Sequence, residues 1–212
     1  MATVLWTGDT DGDWNTATNW SSDTVPVGGD DVIFNTSSRD VTISSSLALI
    51  NYASLKVLDG FTGKLGVAGT KLDVNATSLL IATDQAQVHL DGDYTTAVVS
   101  DILPGTAASP KVTFGTSSTF TTFRVTGGQA AVELASSTVS NVQLLTAPQA
   151  TISILSTAGT VTNILMDSGT ITTADSLTTA DVSGGTLILT QAAAVTTVNL
   201  TGAGTLEHNG TG

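Results

Sequence analysis

Residues 126–155 read TGGQAAVELASSTVSNVQLLTAPQATISIL, and three times in this stretch two apolar residues flank one that can face solvent. Successive side chains of a β-strand point to opposite faces, so each triplet predicts a short strand with two buried residues and an exposed middle one. The triplets of the whole chain are Val41-Thr42-Ile43, Leu55-Lys56-Val57, Leu65-Gly66-Val67, Leu72-Asp73-Val74, Val88-His89-Leu90, Val112-Thr113-Phe114, Val132-Glu133-Leu134, Val142-Gln143-Leu144, Ile152-Ser153-Ile154 and Val198-Asn199-Leu200. We therefore expect many short strands that share one core.

A longer period runs through the second half of the chain. Turns of small residues begin 16 to 21 residues apart, at Thr126-Gly127-Gly128, Thr146-Ala147-Pro148, Asp167-Ser168-Gly169, Ser183-Gly184-Gly185 and Thr201-Gly202-Ala203. One turn and two or three short strands in about 20 residues are typical of a solenoid coil. We predict an all-β parallel β-helix (β-solenoid) over residues 46–212, with roughly nine coils stacked at ~4.8 Å into a rod about 40 Å long.

A β-sandwich or jelly roll is the alternative fold, because it also consists of many short strands joined by turns. Such folds commonly carry Asn-Gly hairpin turns between paired strands. The chain has one Asn-Gly pair, Asn209-Gly210, at its end. The sequence therefore favours the solenoid.

Composition excludes several function classes. The 212 residues include no cysteine, so disulfides and thiolate metal sites are excluded. The chain has eighteen acidic and six basic residues, for a net charge of -12. Nucleic-acid binding requires cations that displace phosphate counterions, so we expect no nucleic-acid partner. No apolar stretch reaches the ~20 residues of a membrane helix, so we expect no membrane partner.

The first 45 residues differ from the rest and contain all three tryptophans, Trp6, Trp14 and Trp20. We predict that residues 1–45 form a Trp- and Asp-rich cap or docking module, followed by the solenoid repeat domain at 46–212. An open coil exposes apolar side chains and unpaired backbone groups, so the tryptophans are expected to pack over it. The alternative is that they form an interaction surface, since tryptophan clusters are frequent binding hot spots.

The cap region carries a recognisable motif. Between residues 6 and 34 the chain contains Trp-x-Gly, Asp-Gly-x-Trp, Asn-Trp, Val-Pro and Asp-Asp-Val-x-Phe. This pattern resembles the start of bacterial autotransporter-type and related surface β-strand-repeat proteins, and similar modules occur in phage structural proteins. The stretches at 183–189 and 202–207 are similar to repeats of that family. The resemblance implies a β-helix that serves as a scaffold or an adhesive stalk.

Two functions follow as hypotheses. The N-terminal residues lack a basic region followed by an apolar run, so we expect no secretion signal, which favours release by another route such as cell lysis over display on the bacterial surface. The first hypothesis is a non-enzymatic virion protein, a capsid decoration or fibre-like protein of a phage. It would assemble as a homotrimer and contact the major capsid protein or another virion protein. The alternative is a bacterial cell-surface or extracellular adhesin that binds glycans or cells.

Asp9, Asp11 and Asp13 have the one-three-five spacing of a calcium loop. Trp14 stands where an EF-hand loop needs Gly, and Trp20 stands where it needs Glu. An incomplete calcium site remains open, and no other cofactor is expected. The alternative is an acidic turn whose carboxylates accept backbone hydrogen bonds.

We expect no catalytic residues. The two glutamates, Glu133 and Glu207, are predicted to lie about four coils apart, too far for glycoside hydrolysis. Asp91 and Asp93 are interpreted as a tight turn rather than as an acid pair. His89 is predicted to be exposed, at the middle of its triplet.

The last coil, residues 201–212, has no Trp-rich or Pro-rich cap. Unpaired strand edges attract other chains, and terminal repeats are normally covered. We expect sister subunits, a partner or further chain to cover this end.

Overall fold

The computed structural model describes residues 1–45, 47, 49–100, 111–127, 131–135, 138–155, 160–190 and 193–209. A short 3₁₀ helix lies at Ala17–Asn19. The strands are β1 (Thr3–Leu5), β2 (Asp31–Phe34), β3 (Asn51–Leu58), β4 (Lys64–Leu65), β5 (Leu72–Asp73), β6 (Asn75–Ala82), β7 (Gln87–Asp91), β8 (Asp93–Ser100), β9 (Val112–Phe114), β10 (Thr119–Thr126), β11 (Ala131–Leu134), β12 (Thr138–Leu145), β13 (Thr151–Ile154), β14 (Val161–Met166), β15 (Thr170–Thr173), β16 (Leu177–Val182), β17 (Thr186–Thr190), β18 (Val195–Leu200) and β19 (Thr205–Asn209).

The strands form two parallel sheets. The larger sheet has the order β1-β2-β3-β6-β8-β10-β12-β14-β16-β18. The smaller sheet has the order β19-β17-β15-β13-β11-β9-β7-β4, and β5 also pairs with β7. The chain alternates between the two sheets and always moves in one direction along the stack. This is a parallel β-helix, so the predicted fold is confirmed and the sandwich alternative, which requires antiparallel hairpins, is wrong.

Eight coils run from β3 to β19. Their lengths are unequal, because Asn163 pairs with Thr179, 16 residues on, whereas Asp93 pairs with Thr119, 26 residues on. This number is close to the roughly nine coils predicted, and it is smaller because several coils are longer than 20 residues.

Each long strand of the larger sheet bends at its third residue. In β10 the side chains of Phe120, Phe123 and Val125 are buried. Thr121 and Thr122, between the first two, both avoid the core. Thr121 has no partner in the register with β8 or β12, whereas its neighbours Phe120 and Thr122 do. The bend breaks the strict alternation of the strand, as a bulge does.

Glycines at the predicted turns allow the coils to stack closely. Gly169 and Gly185 have φ of +71° and +76°, in the left-handed region. A Cβ atom on Gly185 would lie 2.4 Å from the carbonyl oxygen of Gly169 in the next coil. Only glycine meets both demands. Four of the predicted turns, at 146–148, 167–169, 183–185 and 201–203, connect strands as expected, and Gly128 of the fifth lies outside the described residues.

The first 45 residues are continuous with the solenoid. β1 and β2 are the first strands of the larger sheet, and β2 pairs with β3 from Asp31↔Ser54 to Phe34↔Val57. Buried residues of both predicted parts belong to one hydrophobic cluster.

The far end of the stack is formed by β18 and β19. No residue of either strand is buried, and Leu200, whose counterparts in earlier coils point inward, is 48% exposed. Within the described residues nothing covers this last coil. The expectation that sister subunits, a partner or further chain covers it stays a prediction.

Candidate interaction surface

The three tryptophans close the first end of the core. The backbone of Trp6 bonds to Ile33 of β2, and that of Trp14 bonds to Thr42, whose neighbour Val41 extends the smaller sheet through Leu65. The segment between the two tryptophans therefore joins the edges of both sheets across the end of the core. Trp20 contacts both other indoles edge-to-face, with ring centroids 5.0 and 4.9 Å apart.

The prediction that Trp6, Trp14 and Trp20 form an interaction surface is wrong. All three side chains are buried, with at most 1% exposed. Phe34 and Phe61 continue the aromatic cluster towards the first coil. An aromatic ring removes a large apolar area from water, so the cluster serves to seal the solenoid rather than to bind a partner.

Asp11 and Asp13 hold the turn that carries Trp14. One carboxylate oxygen of Asp11 accepts hydrogen bonds from the backbone N–H of Asp13 at 2.8 Å and from the Asn19 amide at 2.7 Å. Asp13 accepts from the backbone N–H groups of Asn15 and Ser44. The hydrogen bonds from Asp13 and Asn19 lower the pKa of Asp11. The acidic-turn interpretation is the one that the structure supports.

The predicted calcium site is not formed. No three His, Cys, Asp or Glu side chains group as a metal site in the described part of the chain, and this includes Asp9, Asp11 and Asp13. One oxygen of Asp11 and one of Asp13 accept hydrogen bonds from backbone and amide donors instead.

Asp91 and Asp93 also belong to a tight turn. Asp91 accepts from the backbone of Ser117 and the hydroxyl of Ser118, while Asp93 accepts from the hydroxyl of Thr119 at 2.6 Å. The neighbouring Tyr94 is buried, and its hydroxyl donates to the Val74 carbonyl at 2.7 Å. These carboxylates form hydrogen bonds between adjacent coils.

Glu133 and Glu207 lie in one column of the smaller sheet. The register runs from Glu133 through Ser153, Thr172 and Ile188 to Glu207. Four strand spacings of ~4.8 Å separate the two carboxylates by about 19 Å. The predicted separation of four coils is confirmed. Paired glycosidase carboxylates lie within about 10 Å, so these two cannot act together.

His89 is buried, with 4% exposed, so the prediction that it faces solvent is wrong. β4 and β5 both pair with β7, and the chain between them, residues 66–71, leaves the sheet at the level of His89 as a small hairpin. The Nδ1 atom of His89 lies 2.7 Å from the Thr113 hydroxyl. Burial, together with the positive charges of Lys71, Lys64 and Lys111, lowers the pKa of His89 to about 4.

Two shallow grooves lie on the surface near these residues. One of about 410 Å³ lies at the capped end of the smaller sheet and is lined by Ile43, Val67 and Leu72 with Lys64 and Lys71. The other, of about 350 Å³, crosses the first residues of β3, β6, β8, β10 and β12. Its lining is polar and includes Asn51, Thr77, Asp93, Thr95 and Thr119.

A further surface is the outer face of the larger sheet. We define the outer face as the outward-pointing residues of β3, β6, β8, β10, β12, β14, β16 and β18 that follow the bend. One column consists entirely of Ser, Thr and Asn: Ser54, Ser78, Thr96, Thr122, Asn141, Asn163, Thr179 and Thr197. Side chains bond along the columns, as Asn163 does to Asn141 at 3.1 Å and Arg124 to Gln143 at 2.7 Å.

The outer face also carries apolar residues and very little charge. Its apolar members are Leu58, Leu80, Ala82, Val98, Leu145 and Leu165. Its charged members are Lys56, Arg124 and Asp181, a net of +1 on a chain of net -12. The matching central column of the smaller sheet differs, because from His89 to Glu207 its one aliphatic residue is Ile188.

These outward-pointing apolar residues do not fit the triplet pattern, whose centre is a residue that can face solvent. The signal was present as runs of three apolar residues, Leu79-Leu80-Ile81, Ala97-Val98-Val99 and Ile164-Leu165-Met166. In each run the middle residue points outward while its neighbours are buried.

The chain matches no family model, no curated protein and no solved structure. No helix among the described residues has the length and apolar character to cross a membrane.

Proposed function

We propose that this chain is a non-enzymatic structural protein that functions as a rigid rod in an assembly of identical copies. The observation that carries the proposal is the continuous parallel ladder from β1 to β18, with one core filled by side chains and closed at one end by the tryptophan cluster. Among the described residues, every strand of this ladder pairs with the next one along the stack. A rod of this kind suits a decoration or fibre-like protein on a phage capsid.

The arrangement of the carboxylates, the candidate groups for catalysis, supports a structural rather than a catalytic role. Asp11, Asp13, Asp91 and Asp93 are engaged in turn hydrogen bonds, and the two glutamates are about 19 Å apart. Self-assembly as a homotrimer, docked on the major capsid or another virion protein, is part of the proposal.

The test is the composition of purified virions. We expect quantitative mass spectrometry to give a copy number of this chain that is a multiple of three at each lattice point of the capsid. Light scattering of the isolated protein should give three chains per particle. Its presence only on bacterial cell surfaces would contradict the virion role.

An adhesin that binds glycans is the second candidate, because the groove of about 350 Å³ presents hydroxyl, amide and carboxylate groups. Sugars are recognised by such polar groups. A glycan array with the wild type and with Asp93→Asn tests it. Binding that is lost in the variant supports an adhesin, and no binding to any glycan removes this candidate.

A further inference from the structure

We propose that a second copy of this chain covers the outer face of the larger sheet in the assembled protein. The inference rests on the proposed function, since it names the surface through which the copies meet. Three features of the outer face support it: its charge, its apolar side chains and its area.

Charge favours a second copy at this face. Two molecules of net charge -12 repel each other, and contact is least costly where the local charge is smallest. The outer face carries Lys56, Arg124 and Asp181, and Asp181 accepts a hydrogen bond from Asn199 at 2.6 Å. A partner that docks here therefore desolvates few charged groups.

Apolar side chains interrupt the polar columns of the outer face. Leu165 of β14 is 41% exposed, which is unusual for a leucine within a regular strand. Leu80 and Val98 stand in the same column, four and three strands before Leu165 along the stack. Transfer of such side chains from water into a contact contributes about 25 cal/mol per Å².

The area matches what a stable contact needs. Eight strands at ~4.8 Å and five residues at ~3.3 Å give a flat outline of about 38 Å by 17 Å, or roughly 650 Å². Side chains make the accessible surface larger than this outline. A standard interface removes about 800 Å² from each partner, so one neighbour that covers the outer face satisfies the requirement.

The experiment compares substitutions on the two sheets. Leu165→Asp and Leu80→Asp place a charge on the outer face, and Ile188→Asp places the same charge on the smaller sheet as the matched control. Sedimentation velocity over about 1 to 100 µM gives the assembly state of each folded protein. We expect the wild type and Ile188→Asp to assemble, and each outer-face variant to dissociate at least about 30-fold more readily.

A second measurement uses the absence of native cysteine. In Leu165→Cys the thiol is the only one in the chain. Its rate of maleimide labelling should fall at least about tenfold as the protein concentration rises through assembly. Leu165→Ser replaces Leu165→Asp in sedimentation if circular dichroism shows that the charged variant does not fold.

The outcomes separate the inference from the proposed function. Assembly of the outer-face variants with the affinity of the wild type, and labelling that does not depend on concentration, would overturn the inference and leave self-assembly intact. A wild type that stays monomeric over the whole range would overturn both.

Discussion

The indole N–H of Trp20 donates a hydrogen bond of 2.8 Å to the backbone carbonyl oxygen of Trp14, inside the aromatic cluster that closes the solenoid. The indole N–H of Trp6, equally buried, has no hydrogen-bond partner. The two neighbouring tryptophans are therefore buried in the same aromatic cluster, but only the indole N–H of Trp20 has a hydrogen-bond acceptor. A buried donor without a partner costs about 1–3 kcal/mol, so the difference is measurable.

Replacement by phenylalanine separates the two indoles. Both changes remove ring volume from the core, but Trp6→Phe also removes an unsatisfied donor, whereas Trp20→Phe leaves the Trp14 carbonyl without its partner. We expect Trp20→Phe to lower the free energy of unfolding by about 1–3 kcal/mol more than Trp6→Phe. Urea unfolding followed by fluorescence measures the difference, and equal losses would contradict this account.

Titration of His89 should appear in the pH dependence of stability. Its folded pKa, about 4, lies below the usual 6.5. Between these values the unfolded chain binds a proton that the folded chain does not, so the free energy of unfolding falls as the pH falls, by at most about 3 kcal/mol. In His89→Gln this contribution to the slope should be absent between pH 6.5 and 4, while His208→Gln keeps it.

Burial, with the charges of Asp91 and Asp93, raises the pKa of Asp73, which acts in the opposite direction in all three proteins. The contribution of Asp73 is therefore the same in all three proteins and cancels when their slopes are compared. Identical slopes in the wild type and His89→Gln would show that the imidazole is accessible to protons in the folded protein.

Asp30 should stabilise the first strand only while it is ionised. The backbone N–H groups of Ala2 and Val27 donate to its carboxylate and lower its pKa. Its contribution is therefore present above the unfolded pKa near 3.8 and is lost as the pH falls through the folded pKa. We expect Asp30→Asn to cost about 1–2 kcal/mol at pH 7 and progressively less as the pH falls below 3.8, measured by chemical denaturation. Asp23→Asn, at an exposed position, is the control.

Gly185→Ala should be far more damaging than Gly69→Ala. The first change places a Cβ atom at positive φ and 2.4 Å from a backbone oxygen, whereas the second meets open space at an ordinary φ. We expect a loss of about 2–4 kcal/mol for Gly185→Ala and under about 1 kcal/mol for Gly69→Ala. Thermal unfolding tests this, and comparable melting temperatures would mean that the coils can move apart.

Calcium should leave the stability unchanged. The carboxylates of Asp11 and Asp13 already accept backbone and amide hydrogen bonds. We expect no shift in the melting temperature between excess chelator and millimolar calcium. A rise with calcium that disappears in Asp11→Asn would restore the metal hypothesis.

The sequence predicted those parts of the fold that depend on alternation along one strand. Val132-Glu133-Leu134 has two buried residues and a partly exposed centre, as expected. The prediction failed where one coil differs from the next. Val67 was predicted to be buried in a strand, yet it lies 52% exposed in the hairpin after Gly66, whose φ of +68° turns the chain out of the sheet.

The environments of His89 and Trp6 could not be read from their neighbours in sequence. His89 is buried where the hairpin of residues 66–71 lies between β4 and β5, and this depends on pairing with β7 between residues 18 or more apart in the sequence. The cap position of Trp6 was inferred from composition, but its missing hydrogen bond depends on how three rings pack. The outer face was not predicted, because its columns of residues can be recognised only when the strands are aligned in register.

The direction of the ladder hydrogen bonds sets how the molecule responds to pulling. In both sheets these bonds run along the stack of coils, parallel to the line that joins the capped end to β19. A force applied along this line loads the bonds of one coil at a time, starting where β18 and β19 have a neighbour on one side only. The rod should therefore peel coil by coil at low force, although it resists bending, and the buried tryptophans would be the last part to yield.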